Sequence, residues 1–472
     1  MSLPHPPRRL PVIGDLIGMD IRTPMESLVE VASRTGPLFE TTTMGAAYTI
    51  AAGADVVAEL NDESRFAKHL GPELIGLQPA VGNGLFTADN DDPQWAAAHQ
   101  LLVPAFSQKA MRRHHRVMTE VVGELLAHWD RQTGTPVDVT ADMTRTALET
   151  IGRATAGHGF GGFGGRGRTD PFIRHMVGAL RGSYYESFIR RSWLPAWTAD
   201  LGERWVRHHG DAMARIVDDI VATRRRSTRA QWPDDLLSLM LTPGDDGSPI
   251  LDEDNIRYQM ITFLIAGHET TSGAMSFALH HLSTRPDLVD AARAEIDEVW
   301  GDDPTPDFEQ VGKLRFVRRI VDETLRLHPT VPGYFRVARE DTTVADGHPV
   351  RAGEWFLVLV GGLHRDPRWG DDPDTLDPDR FLPERVRARP AQLYKPFGTG
   401  LRSCIGRQFA IHEAVLVLAS ILRRYDLAPT PGYRLRTTER LTSMPRGLRL
   451  TPVRRAGSSS SPTASSLHSS GR

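Results

Sequence analysis

The sequence predicts a mainly α fold with small β-sheets, and three observations predict it. No linker-like stretch divides residues 1–455 of the 472-residue chain, whose 40% apolar and 24% charged residues are ordinary globular values. A long helical pattern runs through the middle of the chain, and only a few short runs have the residue types of β-strands. We therefore predict one domain over residues 1–455, followed by a disordered Ser-rich tail at 456–472.

β-Structure is predicted at two places. Residues 38–43 and 48–52 read as strands around Met44 and Gly45, and Asp346-Gly347 predicts the turn of a second hairpin that leads into residues 355–360. A further segment, residues 159–164, matches the Gly-x-Gly-x-x-Gly pattern of dinucleotide-binding turns. No parallel strand leads into it, so we interpret it as a connecting loop.

The central helix is predicted between Asp252, which can cap its start, and Pro286, which marks its end. At about 1.5 Å per residue this helix spans some 50 Å and must cross the molecule. Its middle, residues 267–273, is polar and poor in helix-forming residues. A hydroxyl there can bond back to the preceding turn and open the helix locally. Such an opening makes room for small molecules.

The single cysteine, Cys404, lies in the pattern Phe-x-x-Gly-x-Arg-x-Cys-x-Gly at residues 397–406, directly before an apolar helical pattern. A helix N-terminus lowers the pKa of a thiol and favours the thiolate, which is a metal ligand. The glycines let the backbone approach a flat macrocycle, and Arg402 can reach an anionic edge group. The alternative is a buried, inert cysteine. One cysteine excludes an internal disulfide and fits a reducing cytoplasm.

Four segments together resemble the cytochrome P-450 family of haem–thiolate monooxygenases. Besides residues 397–406 they are Ala-Gly-His-Glu-Thr-Thr at 266–271, Glu-x-x-Arg at 323–326 and Pro-Asp-Arg-Phe at 378–381. The resemblance covers roughly residues 5–455. It implies the cytochrome P-450 fold, with haem b between the long central helix and the cysteine-bearing loop and helix. It also implies that Cys404 is the axial iron ligand.

The resemblance assigns proton delivery to two neighbouring residues of the central helix. Thr270 would hold the water network beside the oxygen, and Glu269 would relay protons into an otherwise dry pocket. The alternative for both is a helix kink with solvated polar residues. We interpret His268 as structural, because the family pattern gives the protein ligand of the iron to Cys404.

A buried charge network is expected near the cysteine loop. Glu323 and Arg326 stand three apart on one helical face, and Arg380 can complete a triad. In the resembling enzymes this triad locks the loop that carries the thiolate. For Arg336 a surface salt bridge is the alternative to a haem contact. The haem contacts that the resemblance implies are Trp95, His99, Ala266, Arg336, Phe397, Arg402 and Gly406.

Within the family, residues 83–87, 254–259 and 261–265 look most like the haem domain of bacterial fatty-acid hydroxylases that are fused to a diflavin reductase. The carboxylate-anchoring arginine and tyrosine of those enzymes fall at Ala46 and Ile50. An apolar pocket without this anchor favours a neutral substrate, such as a terpenoid or polyketide-type secondary metabolite, with fatty-acid hydroxylation as the alternative. The implied pocket residues are Phe86, Ala266, Val331, Gly333 and Leu441.

Electrons are expected to come from NAD(P)H through a separate ferredoxin or flavodoxin-type donor with its reductase, because the sequence ends after the haem domain. A net charge of −3 gives no support for nucleic-acid binding, and the N-terminus has no apolar run long enough for a membrane anchor or signal peptide. We therefore expect a cytoplasmic monomer that uses O2. The basic run expected to dock an acidic carrier, unless it is a solvated helix face, is Lys109, Arg112, Arg113, His114, His115 and Arg116, near Lys395, Arg402 and Arg407.

Two further functions would use the same cofactor. A haem-based gas sensor or carrier needs the thiolate but no proton relay. A peroxide-driven peroxygenase also dispenses with an acid–alcohol pair. Glu269 and Thr270 therefore favour the monooxygenase over both.

Overall fold

Helices make up most of the protein, which confirms the predicted fold class. The computed structural model describes residues 3–7, 9–164 and 170–456, so the predicted tail lies outside the described residues from position 457 onward. In chain order the described helices are α1 (Pro24–Thr35), α2 (Ala54–Leu60), α3 (Gly71–Val81), α4 (Pro93–Leu102), α5 (Gln108–Asp130), α6 (Val139–Ala156), α7 (Pro171–Arg191), α8 (Ala196–Arg226), α9 (Leu236–Leu241), α10 (Glu253–Leu282), α11 (Pro286–Trp300), α12 (Phe308–Lys313), α13 (Arg315–Leu327), α14 (Val360–Leu363), α15 (Pro383–Ala388) and α16 (Arg407–Arg424).

The strands of the described residues form small sheets beside the helices. The largest sheet has the order β1-β2-β8-β5-β3, and only its β2–β8 pair is parallel. The strands are β1 (Leu38–Thr43), β2 (Ala46–Ala51), β3 (Phe66–His69), β4 (Val137–Asp138), β5 (Gly333–Ala338), β6 (Thr342–Val344), β7 (His348–Val350), β8 (Trp355–Leu359), β9 (Tyr425–Pro429), β10 (Thr437–Glu439), β11 (Ser443–Pro445) and β12 (Arg449–Arg454).

The prediction of the second hairpin is wrong about which strand follows the turn. Ala345 and Asp346 both have positive φ angles, as a tight hairpin turn requires, but the turn joins β6 to β7. Strand β8 instead pairs with β5 and β2 in the five-stranded sheet. The turn itself is predicted correctly from its local residue types, whereas the pairing of β8 depends on strands far away in the sequence.

The central helix α10 begins where the sequence predicts, because the Asp252 side chain accepts a hydrogen bond from the Asn255 N–H. It ends at Leu282, and Pro286 opens α11. At about 1.5 Å per residue its length is about 45 Å. The predicted local opening is not seen, since the helix runs unbroken through residues 267–273. Its apolar residues pack with those of α6 and α16 in the main hydrophobic core.

The Gly-x-Gly-x-x-Gly segment connects two helices, α6 and α7, with no strand before it. The Glu149 carboxylate accepts hydrogen bonds from the N–H groups of Phe160 and Gly162. An anionic side chain therefore occupies the backbone donors that a phosphate would need, which agrees with the interpretation as a connecting loop.

None of the helices in residues 3–7, 9–164 and 170–456 combines the length and the apolar character needed to cross a bilayer.

Candidate active site

The cysteine loop is shaped by its own backbone. The Cys404 N–H donates to the Phe397 carbonyl at 2.9 Å, and Gly398 and Gly400 have φ angles of 69° and 62°, in the left-handed region that favours glycine. Helix α16 starts three residues after the thiol, with Gly406 at its N-cap. The loop therefore turns tightly and presents the thiol just before a helix start.

Burial has a larger effect on the pKa of the Cys404 thiol than the helix start has. Burial raises this pKa, while the Gly406 N–H and Arg407 lower it by a smaller amount. The prediction that the helix start alone lowers this pKa is therefore wrong, because desolvation of the anion outweighs the dipole. A stable thiolate at this position needs an additional positive charge.

A large apolar cavity of about 390 Å³ lies between α10 and the cysteine loop. Cys404 has accessible surface although protein surrounds it, because it lines this cavity. The predicted site residues on the cavity wall are Phe86, Trp95, His99, Ala266, Thr270, Val331, Gly333, Arg336, Phe397, Arg402, Cys404, Gly406 and Leu441. The predicted site residues that do not line it are Glu269, Glu323, Arg326 and Arg380.

Two cations and an aromatic residue form one part of the wall. The Arg402 guanidinium lies 3.7 Å from the Trp95 ring centroid and donates to the carbonyls of Ala88 and Asp89. Burial lowers the pKa of Arg402 to about 10. Lys68 lies close by, and burial together with Arg402 lowers its pKa to about 7. Among the described residues neither cation forms an ion pair with a carboxylate.

Arg336 is buried, not part of a surface salt bridge. Its guanidinium donates to the Leu60 carbonyl at 2.8 Å and the Phe66 carbonyl at 3.0 Å. Burial lowers its pKa. In the sheet Arg336 stands directly opposite Lys68, which adds a third cation to the same wall.

Thr270 and Ala266 face the cavity from the middle of α10. The Thr270 hydroxyl donates to the Ala266 carbonyl at 2.7 Å, which is the predicted bond back to the preceding turn. The hydroxyl oxygen can still accept a hydrogen bond from a group in the cavity.

Glu269 faces a second cavity, of about 360 Å³, on another side of α10. One carboxylate oxygen lies 3.6 Å from the Arg440 guanidinium, and the other, Oε2, is buried without a hydrogen-bond partner. Burial raises the pKa of Glu269, although Thr442 and Arg440 oppose this. Arg440 lines both cavities, so it is the residue that connects them.

His268 lines the second cavity and not the one that holds Cys404. Its Nδ1 contacts the Leu264 carbonyl, and burial lowers its pKa to about 4. The ring is therefore neutral and turned away from the thiol, in agreement with a structural role.

The predicted triad lies beside the cavity, in a fully buried position. Arg326 donates to both oxygens of Glu323, at 2.6 and 2.7 Å, and both side chains have no exposed surface. The Arg380 Nε lies 3.3 Å from Glu323. His364 accepts from the Lys395 N–H and contacts the Arg326 carbonyl. It thereby joins α13 to the segment that leads into the cysteine loop.

The model of the cytochrome P450 family matches residues 4–452. The chain belongs to this family. A bifunctional cytochrome P450/NADPH–P450 reductase of Bacillus cereus is 38% identical over 466 residues, which are 98% of this chain and 43% of the relative. Another, of Bacillus subtilis, is 39% identical over 429 residues, 90% of this chain and 40% of the relative. A self-sufficient cytochrome P450 monooxygenase of Aspergillus terreus is 36% identical over 460 residues, which are 96% of this chain and 43% of the relative. The chain spans less than half the length of these relatives.

Membership of the cytochrome P450 family implies a haem whose iron is bound by a thiolate, and Cys404 is the only cysteine in the sequence. The described residues fit this group. Two half-buried cations without carboxylate partners among the described residues, Lys68 and Arg402, are suited to bind the two haem propionates. Iron supplies the positive charge that a thiolate at Cys404 needs.

Two site residues of this cytochrome P450 escaped the sequence analysis, Lys68 and Arg440. A lysine within the otherwise buried strand β3 was a usable signal, because lysine is seldom enclosed without a partner. Arg440 gave no such signal, since its ion pair with Glu269 joins residues far apart in the sequence.

The positions of the missing carboxylate anchor do not lie on the cavity wall. Ala46 and Ile50 are buried, with Ile50 packed among Phe39, Leu357 and Leu359. A tyrosine at position 50 would overpack this cluster. The cavity of this cytochrome P450 therefore has no guanidinium or phenol from these two positions.

The basic run at 109–116 is a weaker docking surface than predicted. His114 and His115 are buried, and burial lowers both pKa values, so they are uncharged at neutral pH. Arg112 pairs with Glu309 and Arg113 pairs with Asp234. The acidic partners lie on other segments, which the local sequence could not show. At the ends of the run, Arg116 lies 4.0 Å from Glu120, and Lys109 forms no ion pair in the described part of this cytochrome P450.

Proposed function

We propose that this cytochrome P450 inserts one oxygen atom of O2 into a neutral, apolar small molecule, by hydroxylation or epoxidation. A terpenoid or polyketide-type secondary metabolite is the substrate class we favour. The observation that carries the proposal is the cavity itself, in which an apolar wall, the cysteine and a central-helix threonine converge.

The chain's own residues have separate roles in this proposal. Haem bound through a thiolate supplies the activation of O2. Cys404 holds the iron, and Lys68, Trp95 and Arg402 hold the propionates. Thr270 holds a water at its hydroxyl oxygen on the dry side of α10. Glu269 supplies protons from the second cavity, where burial raises the pKa of its carboxyl.

Arg440 links the two sides in this proposal. It lines both cavities and lies 3.6 Å from Glu269, so its movement would open a route for water between the acid and Thr270. Neighbouring residues of one helix point about 100° apart, and Glu269 and Thr270 therefore need such a link to act together.

Fatty-acid hydroxylation is the alternative function. Residues 83–87, 254–259 and 261–265 resemble fused fatty-acid hydroxylases, and the relatives from Bacillus are P450/reductase fusions. We rank it second because positions 46 and 50 offer no anchor for a carboxylate.

Electron supply is the third part of the proposal. We propose that electrons from NAD(P)H reach the haem through a ferredoxin or flavodoxin-type protein with its reductase. The relatives carry the name of an NADPH–P450 reductase, which supports a flavin-containing source. Acidic electron carriers would meet Lys109, Arg116 and Arg407, which are exposed.

The test compares turnover with NADPH and surrogate reductases against turnover with hydrogen peroxide, using panels of terpenes, macrolactones and fatty acids. Oxygenated product that needs NADPH and O2 supports the monooxygenase, whereas product with peroxide alone would show a peroxygenase.

Thr270→Ala should keep substrate binding while diverting most reducing equivalents into hydrogen peroxide. Unchanged coupling of NADPH to product in that variant would contradict the role of Thr270. Cys404→Ser is the control that should lose the thiolate spectrum.

A further inference from the structure

A separate part of the cavity wall, the polar wall, carries two polar side chains, Glu73 and Tyr184. Helices α3 and α7 contribute them, among apolar residues of these helices and of α1 such as Met25 and Leu77. None of these elements carries the cysteine, the central-helix threonine or the cations that fit the propionates. This polar wall has no role in the haem site described above, so it needs its own explanation.

Glu73 is the acidic group of the polar wall. Protein surrounds this carboxyl, and its Oε2 atom is buried without a hydrogen-bond partner among the described residues. Burial raises its pKa. Its place in the first turn of α3 is electrostatically favourable, yet that alone leaves a carboxylate oxygen unpaired in an apolar cavity. An unpaired buried acceptor of this kind points to a missing hydrogen-bond donor.

Arg191 lies behind the same wall. Its guanidinium stacks on Tyr48 and Trp355, 4.2 and 4.9 Å from the ring centroids, and its Nη2 donates to the Ala47 carbonyl. Its Nη1 is buried and also has no partner among the described residues. Arg191 and a side-chain hydrogen bond from Tyr48 oppose the rise in the pKa of Glu73, and Arg191 forms no ion pair with Glu73 among the described residues. A negative and a positive group thus stand near each other with one free hydrogen-bonding atom each.

We propose that Glu73 and Tyr184 form a subsite that binds a hydroxyl group on an otherwise apolar, neutral substrate. The inference rests on the proposed function, since it names a substrate feature for the same cavity. A hydroxyl can donate to the Glu73 carboxylate and accept from the Tyr184 phenol.

The acidic group of the wall selects against anionic ligands. A ligand carboxylate would lie against the Glu73 carboxylate, and like charges disfavour each other. A neutral alcohol avoids this repulsion and satisfies the free acceptor of Glu73. Burial raises the pKa of Tyr184 to about 12, so its hydroxyl remains a donor over the whole physiological pH range.

The first experiment uses the haem-loaded wild-type enzyme and measures dissociation constants by titration calorimetry. The probes are decanol, decyl methyl ether and decanoate, which share one alkyl chain and differ at the polar end. We expect decanol to bind about tenfold tighter than the ether, because only the alcohol donates a hydrogen bond. Equal affinity for alcohol and ether, or tighter binding of decanoate than of decanol, would overturn the proposal.

The second experiment compares Glu73→Leu and Glu73→Gln with Glu30→Leu, a change at an exposed acid on α1. In Glu73→Leu the preference for decanol over the ether should fall about tenfold, and decanoate should bind more tightly than in wild type. Glu73→Gln keeps a carbonyl acceptor, so it should keep most of the preference for the alcohol while also admitting decanoate. Glu30→Leu should leave all three dissociation constants unchanged. An unaltered preference in Glu73→Leu would overturn the proposal.

Calorimetry separates this inference from the proposed function. Selective alcohol binding without NADPH-dependent oxygenation of decanol would leave the subsite standing and remove the monooxygenase reaction for this ligand class. Oxygenation of alcohol and ether alike, with equal dissociation constants, would leave the reaction standing and remove the subsite.

Discussion

Two neighbouring regions of this cytochrome P450 contain arginines with little or partial exposure, and the hydrogen-bond partners of these arginines differ. In the triad, Arg326 donates to both oxygens of Glu323 and to the carbonyls of His364, Pro373 and Thr375. All of its N–H groups are used, and its charge is balanced by a carboxylate. Such a site is complete without a ligand.

The cations on the cavity wall, in contrast, have no balancing carboxylate among the described residues. Arg402 donates to two carbonyls, and neither it nor Lys68 pairs with a carboxylate in the described part of the chain. Burial lowers both pKa values, to about 10 for Arg402 and about 7 for Lys68. Arg402 is half-buried whereas Arg326 is fully buried, so the two sites differ in burial as well as in charge balance. The missing carboxylate is what leaves the cavity cations able to bind an anion.

The largest effect is expected where the balanced network is broken. Glu323→Gln removes the counter-charge of Arg326, and leaving one buried charge unpaired costs about 3–5 kcal/mol. We expect a loss of unfolding free energy of this size together with poor haem retention, because His364 ties α13 to the segment before the cysteine loop. Urea unfolding followed by circular dichroism, with the haem-to-protein ratio, measures both.

The matched control is Asp379→Asn. Asp379 pairs with Arg319 of the same helix α13, but its side chain is 55% exposed. That change should cost no more than about 1 kcal/mol. Equal effects of the two substitutions would break the comparison, since they would show that the buried triad stabilises no more than a surface pair.

A smaller and more selective effect is expected at the cavity. Arg402→Leu removes a cation that has no counter-charge in the protein, so the fold should lose little stability at saturating haem. Haem should leave about 10 to 100 times faster, because a charge-assisted hydrogen bond to a propionate contributes about 1.5–3 kcal/mol. Transfer of haem to apomyoglobin measures the rate.

The control for this change is Arg116→Leu, at a guanidinium whose side chain is 84% exposed. It should leave the haem transfer rate unchanged. If Arg402→Leu lowered the unfolding free energy as much as Glu323→Gln did, the two arginine sites would not differ in kind.

Local chemistry explains what the sequence could predict. The Asp252 cap, the turn at Ala345 and Asp346 and the glycines of the cysteine loop each depend on a few adjacent residues, and all appear in the structure. The pairing of Glu323 with Arg326 in α13 could also be predicted, because residues three apart share one helix face. Short-range rules therefore gave the helices, the turns and the cysteine loop.

Long-range contacts explain what the sequence could not predict. The partners of β8, the acids that neutralise Arg112 and Arg113, and the pairing of Glu269 with Arg440 all lie far apart along the chain. The separation of Glu269 from Thr270 into two cavities was available from helical geometry, since neighbours point about 100° apart. That signal was overlooked because the two residues share one motif.

The smallest effect is a pH dependence that belongs to the cavity cations alone. Without an anion Lys68 loses its proton near pH 7, because burial and Arg402 lower its pKa and Asp89 only partly opposes them. A bound propionate raises this pKa again, so haem binding must take up a proton above about pH 7. Haem affinity should then be flat below pH 7 and fall above it, by at most about tenfold per pH unit. Partition of haem between the enzyme and apomyoglobin from pH 6 to pH 9 measures the slope, which Lys68→Met should abolish. A slope that survives in Lys68→Met would assign the titration to another group and remove Lys68 from the propionate site.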